Sequence, residues 1–463
     1  MIIQVKKLGA LEQAEFELGD MTIICGGNNT GKTYATYALF GFLSFWREVF
    51  FIQIPEMVIH HLFADGVARI DITDYMKQSE QILANGCRAY AKQLPMVFAA
   101  PADRFEETEF QIILGVKDIR SNGRFERKMR AANADIFSIT KDEGSTELII
   151  TFLVEKEKAK IPKDVIVRVI GDAIKEIIFG HLFPNPFIAS AERTGAAIFR
   201  RELNFPRNRM MEEMSQTEKN INPMELLFKV YKDYALPVKT NVEFTRQLET
   251  ISKRNSFIAD KHLEVLTDFA DIIGGEYTVT RHDELYYIPK GKRIKLSMDE
   301  SSSAVRSLLD IGFYLRHVTR PGDLLMVDEP ELNLHPENQR RIARLFARLV
   351  NLGIKVFITT HSDYIIKELN TLIMLNRNSK HLARVMKTEG YRKDELLSAD
   401  KVRVYIAEEK LLCKNGNKKK TRCLTLVPAD IDQNLGIEAK SFDTTIDTMN
   451  RIQEDIFFGE GDA

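Results

Sequence analysis

The chain has 463 residues, of which 44% are hydrophobic and 28% charged, and a net charge of −1. That length allows two or three domains with a large core, and the composition is that of an ordinary globular protein. The near-zero charge excludes a global electrostatic pull toward nucleic acid, leaving only a local patch open, and the scattered cysteines (Cys25, Cys87, Cys413 and Cys423, with no C-x2-C pair) argue against zinc and for a reduced, cytoplasmic setting.

The opening stretch "MIIQVKKLGALEQAEFEL" carries charges where a secretory signal needs an apolar core. Ile2–Val5 and Ala14–Leu18 alternate and are expected to open a sheet. "MTIICGG" (21–27) reads as an apolar strand ending on glycine, and "TYATYALFGFLSFW" (33–46) as a helix. Between them "GGNNTGKT" (26–33) fits G-x-x-x-x-G-K-[ST]. The order strand, glycine-rich loop, helix is the one that phosphate binding needs. Glycines let successive backbone N–H groups curl toward phosphate oxygens, and the helix N-terminus adds its dipole. The residues of this cradle are Gly26, Gly27, Asn28, Asn29, Thr30, Gly31, Lys32 and Thr33. Lys32 is expected to reach the β- and γ-phosphates of ATP, and the Thr33 hydroxyl to hold Mg²⁺.

Ala38 to Phe63 is the most apolar region, but Arg47, Glu48 and Glu56 interrupt it. No window approaches the roughly 18 consecutive apolar residues of a membrane span, so a buried helix and no membrane partner are expected. His60 and His61 have no acid at ligand spacing. Residues 64–185 mix helices with strand candidates at 110–116 and 147–154, and "KEKAKIPKD" (157–164) reads as a loop. "PFIASAERTG" (186–195) is a strand leading into a polar turn. Residues 202–262 are polar and helical in tone and read as a projecting insert, with breaks at 217–223 and 235–239. Residues 276–298 read as a strand meander.

From Ser301 the pattern returns to helix, then strand, turn and helix. Leu324–Val327 is an apolar strand ending in Asp328 and Glu329, and "KVFITTHSD" (355–363) is another, ending in His361. After such a strand the first acid suits Mg²⁺, the second can polarise water for attack on the γ-phosphate, and a histidine can touch that phosphate. Glu331 reads as a solvated or D-loop acid, and His335 as a turn residue. Arg306 is equally a partner-facing charge or an ordinary helix-surface residue. The tail shows a hairpin tip at Asn415–Asn417 with Lys418–Lys420 on its returning arm.

"LLMVDEPELNLHP" followed by "FITTHSDYIIKEL" resembles the ATPases of the ABC and SMC type, in the subgroup called AAA-15 or overcoming-lysogenization-defect-like. The resemblance covers about 1–60 and 276–380, and more weakly 186–200. It implies that "GGNNTGKT" is the Walker A loop, that Asp328 and Glu329 are the Walker B pair, and that His361 is the H-loop switch. Lys32, Glu329 and His361 are then the catalytic set, and Thr33 and Asp328 the Mg²⁺ ligands. "LNLHP" (332–336) falls at the D-loop, and "ESSSAVRSLL" (300–309) resembles the signature segment that closes the site of a second subunit. That segment carries Ser301, Ser302 and Ser303 where the ABC signature is glycine-rich, which implies slow hydrolysis and a clamp-like role. Glu192 or Arg193 is the candidate for the Q-loop position.

The implied fold class is α/β: an ABC-type P-loop core, a mixed sheet with flanking helices, interrupted by a helical and β insert. The expected divisions are an N-terminal half of the core at 1–63, an arm at 64–185, a helical insert at 186–275, a C-terminal half of the core at 276–400, and a tail at 401–463. Asp430 and Asp432 lack the setting of a nuclease, so none is expected on this chain. The resemblance implies a homo-oligomer with ATP between subunits and a separate nuclease or toxin effector. It extends to the ATPase half of two-component anti-phage systems of the PARIS type, with a phage-encoded trigger. A DNA-repair or DNA-tethering ATPase is the alternative, in which nucleic acid is the partner. A transporter subunit is disfavoured by the serine-rich signature and the long insert.

Overall fold

Six strands build the sheet that positions the site in this computed structural model: β1 (Met21–Gly26), β2 (Pro186–Ala189), β3 (Leu324–Asp328), β4 (Lys355–Thr360), β5 (Val402–Cys413) and β6 (Lys420–Pro428). Their spatial order is β6-β5-β1-β4-β3-β2. The five from β5 to β2 are parallel, and β6 joins β5 antiparallel at the edge. Every residue of β1 and β3 is buried. This fits strands such as "TIIC" and "LLMV", which run apolar without alternation because helices cover both faces.

The structure describes all residues except 116–118, 121–122, 132–133, 154–161, 200–233, 282–283, 414–419, 438–447 and 455–463. The expected hairpin tip and most of its lysines, the break at 217–223 and most of the 157–164 loop lie outside them. Among the described residues no helix is long and apolar enough to cross a membrane.

The chain divides into two units, one of Met1–Gln4, Phe42–Leu94 and Thr108–Asn185, the other of Val5–Gly41, Pro95–Glu107 and Pro186–Ala463. The first contains a four-stranded antiparallel sheet of Val67–Asp71, Glu147–Phe152, Ala134–Lys141 and Phe125–Ala131. Its aromatic core gathers Phe42, Trp46, Phe50, Tyr90, Phe110 and Phe183, with many edge-to-face pairs. Ala38–Phe63 therefore divides between the two units rather than belonging wholly to the N-terminal half of the core.

The second unit holds the six-stranded sheet and its helices: α1 (Lys32–Val49, whose later turns belong to the first unit), α2 (Arg193–Ile198), α3 (Leu236–Arg246), α4 (Ser303–Ser307), α5 (Leu309–His317), α6 (Pro336–Asn351) and α7 (Asp363–Leu375). The 276–298 meander is a separate antiparallel sheet of Gly275–Val279, Leu285–Pro289 and Leu296–Ser297.

Two expectations are corrected. The described part of the projecting insert is core: Leu248 and Ile258 are fully buried, and Phe244 stacks edge-on against Phe187 of β2. Buried Asn241 of α3 accepts from the Ser190 amide and donates to the Ile188 carbonyl, so its polarity caps the edge of β2. The tail is core as well. β5 lies directly beside the strand that carries the phosphate loop, in register from Val402 opposite Met21 to Ala407 opposite Gly26.

Candidate functional site

The phosphate loop follows the buried end of β1 and runs into α1. Gly26 and Gly31 have φ of 142° and 91°, in the region that favours glycine. A side chain at Gly26 would meet the Ala407 carbonyl at 2.6 Å, and one at Gly31 would meet Leu11 at 2.7 Å. The β5 strand is thus one reason for glycine at position 26. Lys32 as a residue is only 6% exposed, and its ammonium donates to the carbonyls of Gly26 (3.1 Å) and Gly27 (2.7 Å). Burial lowers its pKa, and the carboxylates of Glu329, Asp328 and Glu331 pull it back up. Thr33, the next residue, is exposed. Cys25 behind the loop is a buried free thiol whose pKa burial pushes up to about 12.

Those three carboxylates sit at the carboxyl end of β3, next to β4 and one strand from β1. This is where open parallel sheets place their ligands. Asp328 ends β3 and is buried. Its Oδ1 accepts from the Thr359 hydroxyl, and its Oδ2 is buried with no hydrogen-bond partner. Burial pushes its pKa up to about 6, opposed by the Thr359 bond and supported by the charges of Glu329 and Glu192. A buried carboxylate oxygen with no hydrogen-bond partner is a hard oxygen donor of the kind that fits a divalent cation.

Glu329 has φ of 51°. A non-glycine residue there costs of order 1–3 kcal/mol unless its surroundings fix it. They do so here. Its amide donates to the Thr359 carbonyl at 3.0 Å, and its own carbonyl accepts from Arg193 at 2.8 Å and from the Leu332 amide at 3.2 Å. Its half-exposed carboxylate lies 3.3 Å from His361 Nε2. Of the two readings of Glu331, the solvated one is corrected. One oxygen accepts from the His361 amide (2.6 Å) and the other from the Thr360 hydroxyl (2.9 Å), so it fixes the loop that carries the histidine. Ser362 caps α7 and donates to Gln339 of α6. His335 caps α6 through Nδ1, in keeping with the turn reading.

Of the two Q-loop candidates, Arg193 is excluded. It is 1% exposed, and its guanidinium donates to the carbonyls of Ser307 (2.7 Å), Ser190 (2.9 Å), Asp328 (2.6 Å) and Glu329 (2.8 Å). Glu192 is exposed and accepts from Tyr37 of α1 at 3.1 Å. Among the described residues the side chains of Ser301, Ser302 and Ser303 bond only locally. Ser301 is buried and donates to the Met298 carbonyl, which removes it from the candidate ligands. Ser302 is exposed and caps α4, and Ser303 accepts from Arg306. Arg306 also holds the Met298 and Ser301 carbonyls, so it braces this turn rather than standing as an ordinary surface charge.

Asp310 of α5 is a second buried carboxylate, with neither oxygen hydrogen-bonded. Burial pushes its pKa up to about 7, against the pull of Arg193 from α2; Tyr277 faces it from the Gly275–Val279 strand. A carboxyl raised above its ordinary 3.8 binds its proton more tightly folded than unfolded. That stability is complete below the ordinary value and lost as pH rises through about 7. Asp310→Asn is therefore expected to melt roughly 2–6 °C above the wild type at pH 8, with the gain gone near pH 4. Melting curves of both proteins across that range check it, and equal melting at pH 8 contradicts it.

Residues 184–366 match the family model AAA_15, described as an AAA ATPase domain. The match contains β2, β3 and β4 with both acids and His361, and does not include the phosphate loop. Among solved structures, the chain is similar to the SMC head domain from Thermotoga maritima at 10% identity, covering 93% of this chain and 98% of that one, with a TM-score of 0.30. It is also similar to the Smc head domain with an extended coiled coil bound to the C-terminal domain of ScpA, from Pyrococcus furiosus, at 12% identity, 98% of each chain and a TM-score of 0.30. No curated protein matches it. The sheet thus brings the glycine-rich 26–33 loop to the strand ends of a segment, residues 184–366, that matches the AAA ATPase domain model.

Proposed function

We propose that the chain binds ATP with Mg²⁺, hydrolyses it, and uses the cycle to close and open a joint between two copies. The observation that carries this reading is the convergence of Lys32, Asp328, Glu329 and His361 at the carboxyl ends of adjacent parallel strands. The amides of the 26–33 loop and the Lys32 ammonium take the phosphates. Thr33 and Asp328 would hold Mg²⁺, which when bound would offset phosphate charge. Glu329 accepts the proton of the attacking water, and His361 orients that carboxylate.

Ser302 and Ser303 share no hydrogen bond with this cluster. In the proposed assembly the exposed Ser302 faces ATP held by the second copy, which makes each site incomplete alone. Ser302→Glu then sets a carboxylate against the γ-phosphate. Like-charge repulsion of several kcal/mol is expected to cut hydrolysis roughly 10²-fold or more while each chain still binds one ATP. Light scattering and phosphate release on one preparation test this. A wild-type chain that stays monomeric with ATP yet hydrolyses at full rate overturns it.

The biological setting we favour is a sensor and scaffold in an anti-phage system that holds and releases a separate toxin or nuclease. Its support is the motif resemblance. DNA tethering is the second reading. Co-purification with the product of the adjacent gene, lost on ATP hydrolysis, supports the first; ATP-dependent retention on DNA without such a partner replaces it with the second.

A further inference from the structure

Ser307, the last residue of α4, is tied twice to the turn that follows β3. Its hydroxyl donates to the Leu332 carbonyl at 3.0 Å, and its carbonyl accepts from Arg193, whose other N–H groups hold Asp328 and Glu329 by their carbonyls. One buried guanidinium thus bonds both the helix that carries Ser302 and the backbone that carries the water-facing acid. Four carbonyl acceptors in different directions suit the rigid planar fork of arginine and not the single ammonium of lysine. Among the described residues none of its hydrogen bonds reaches Gly26–Thr33.

We propose that Arg193 is a positioning residue through which α4 sets the backbone of Glu329, so that hydrolysis, but not ATP binding, depends on where α4 sits. The inference rests on the ATPase reading above. Glu329 holds a left-handed backbone that needs its surroundings to fix it, and Arg193 supplies the side-chain donor on its carbonyl. A shift of α4 moves the Ser307 carbonyl, and the guanidinium must follow or release one of its other acceptors. Asp310 strengthens the link from the same side. It follows α4 on α5, is buried without a hydrogen bond, and places its charge within reach of Arg193. Arg193 therefore answers to α4 through a bond and to α5 through a charge.

The test compares phosphate release and binding of a non-hydrolysable ATP analogue in wild type, Arg193→Lys, Asp310→Asn, Ser302→Ala and the Arg193→Lys/Ser302→Ala double variant. A misplacement of about 1 Å can cost on the order of 10²-fold in rate. Arg193→Lys is expected to lower kcat about 10- to 100-fold while analogue affinity stays within about threefold. Asp310→Asn is expected to turn over more slowly although it melts higher, a split that a merely structural role does not produce. The double variant is expected to be no slower than the slower single, because Ser302 caps the helix through which Arg193 acts. Wild-type kcat in Arg193→Lys, a parallel loss of affinity, or rates that multiply in the double variant overturns the inference. If Arg193→Lys does not fold, unchanged or faster turnover in Asp310→Asn overturns it alone. A wild-type chain that hydrolyses no ATP overturns the ATPase reading itself, whereas wild-type hydrolysis with Arg193→Lys unaffected removes only this inference.

Discussion

Glu329→Gln is expected to bind Mg–ATP as tightly as the wild type and to turn it over roughly 10²- to 10⁴-fold more slowly, the usual worth of a positioned general base. Three carboxylates surround the Lys32 ammonium, and two already have donors. Asp328 takes the Thr359 hydroxyl, and Glu331 takes the Thr360 hydroxyl and the His361 amide. Glu329 is half-exposed and its carboxylate has only His361 Nε2 beside it among the described residues, which leaves it free to take a proton from water. Glutamine keeps the shape and the backbone bonds that hold φ at 51° but loses the basic oxygen. The variant is expected to accumulate as an ATP-bound assembly, visible as a higher mass by light scattering. Wild-type turnover in this variant moves the base to another group.

Lys32→Ala is expected to weaken ATP binding roughly 10²- to 10³-fold, as removal of one partner of a buried charge pair does. The ammonium is fixed by two loop carbonyls at the start of α1, so it meets phosphate without reorganising a flexible side chain. The three acids around it support its charge against burial. The core beneath the loop is apolar and intact without it, so the fold is expected to survive. Isothermal titration with a melting curve on the same sample separates the two effects. Unchanged affinity contradicts the phosphate-loop assignment, and a collapsed melting transition would show a structural role instead.

The positions of the 26–33 loop, the Asp328–Glu329 pair and His361 were legible because each follows or ends an apolar strand. The parts that were not legible are those where a polar residue serves the interior. Asn241 and Arg193 look like surface residues in sequence, yet each is buried because it satisfies backbone groups from distant elements. Nothing local marks which carbonyls they meet. Glu331 is similar: its partners, Thr360 and the His361 amide, come from the neighbouring strand. The strand "VRVYIAEEKLLC" falls in the segment that reads as a tail. Its first half is nevertheless a central parallel strand, with Val402 and Val404 buried against the core. Its alternation becomes intelligible only once β1 on one side and β6 on the other are known.

The most direct measurement is phosphate release from Mg–ATP by the purified wild-type chain, with Lys32→Ala and Glu329→Gln taken through the same purification. The expected result is release that saturates with ATP in the wild type and falls to background in both variants, with ATP still bound by Glu329→Gln alone of the two. Release at the wild-type rate in both variants would place the chemistry outside the cluster of Lys32, Asp328, Glu329 and His361 and contradict the assignment.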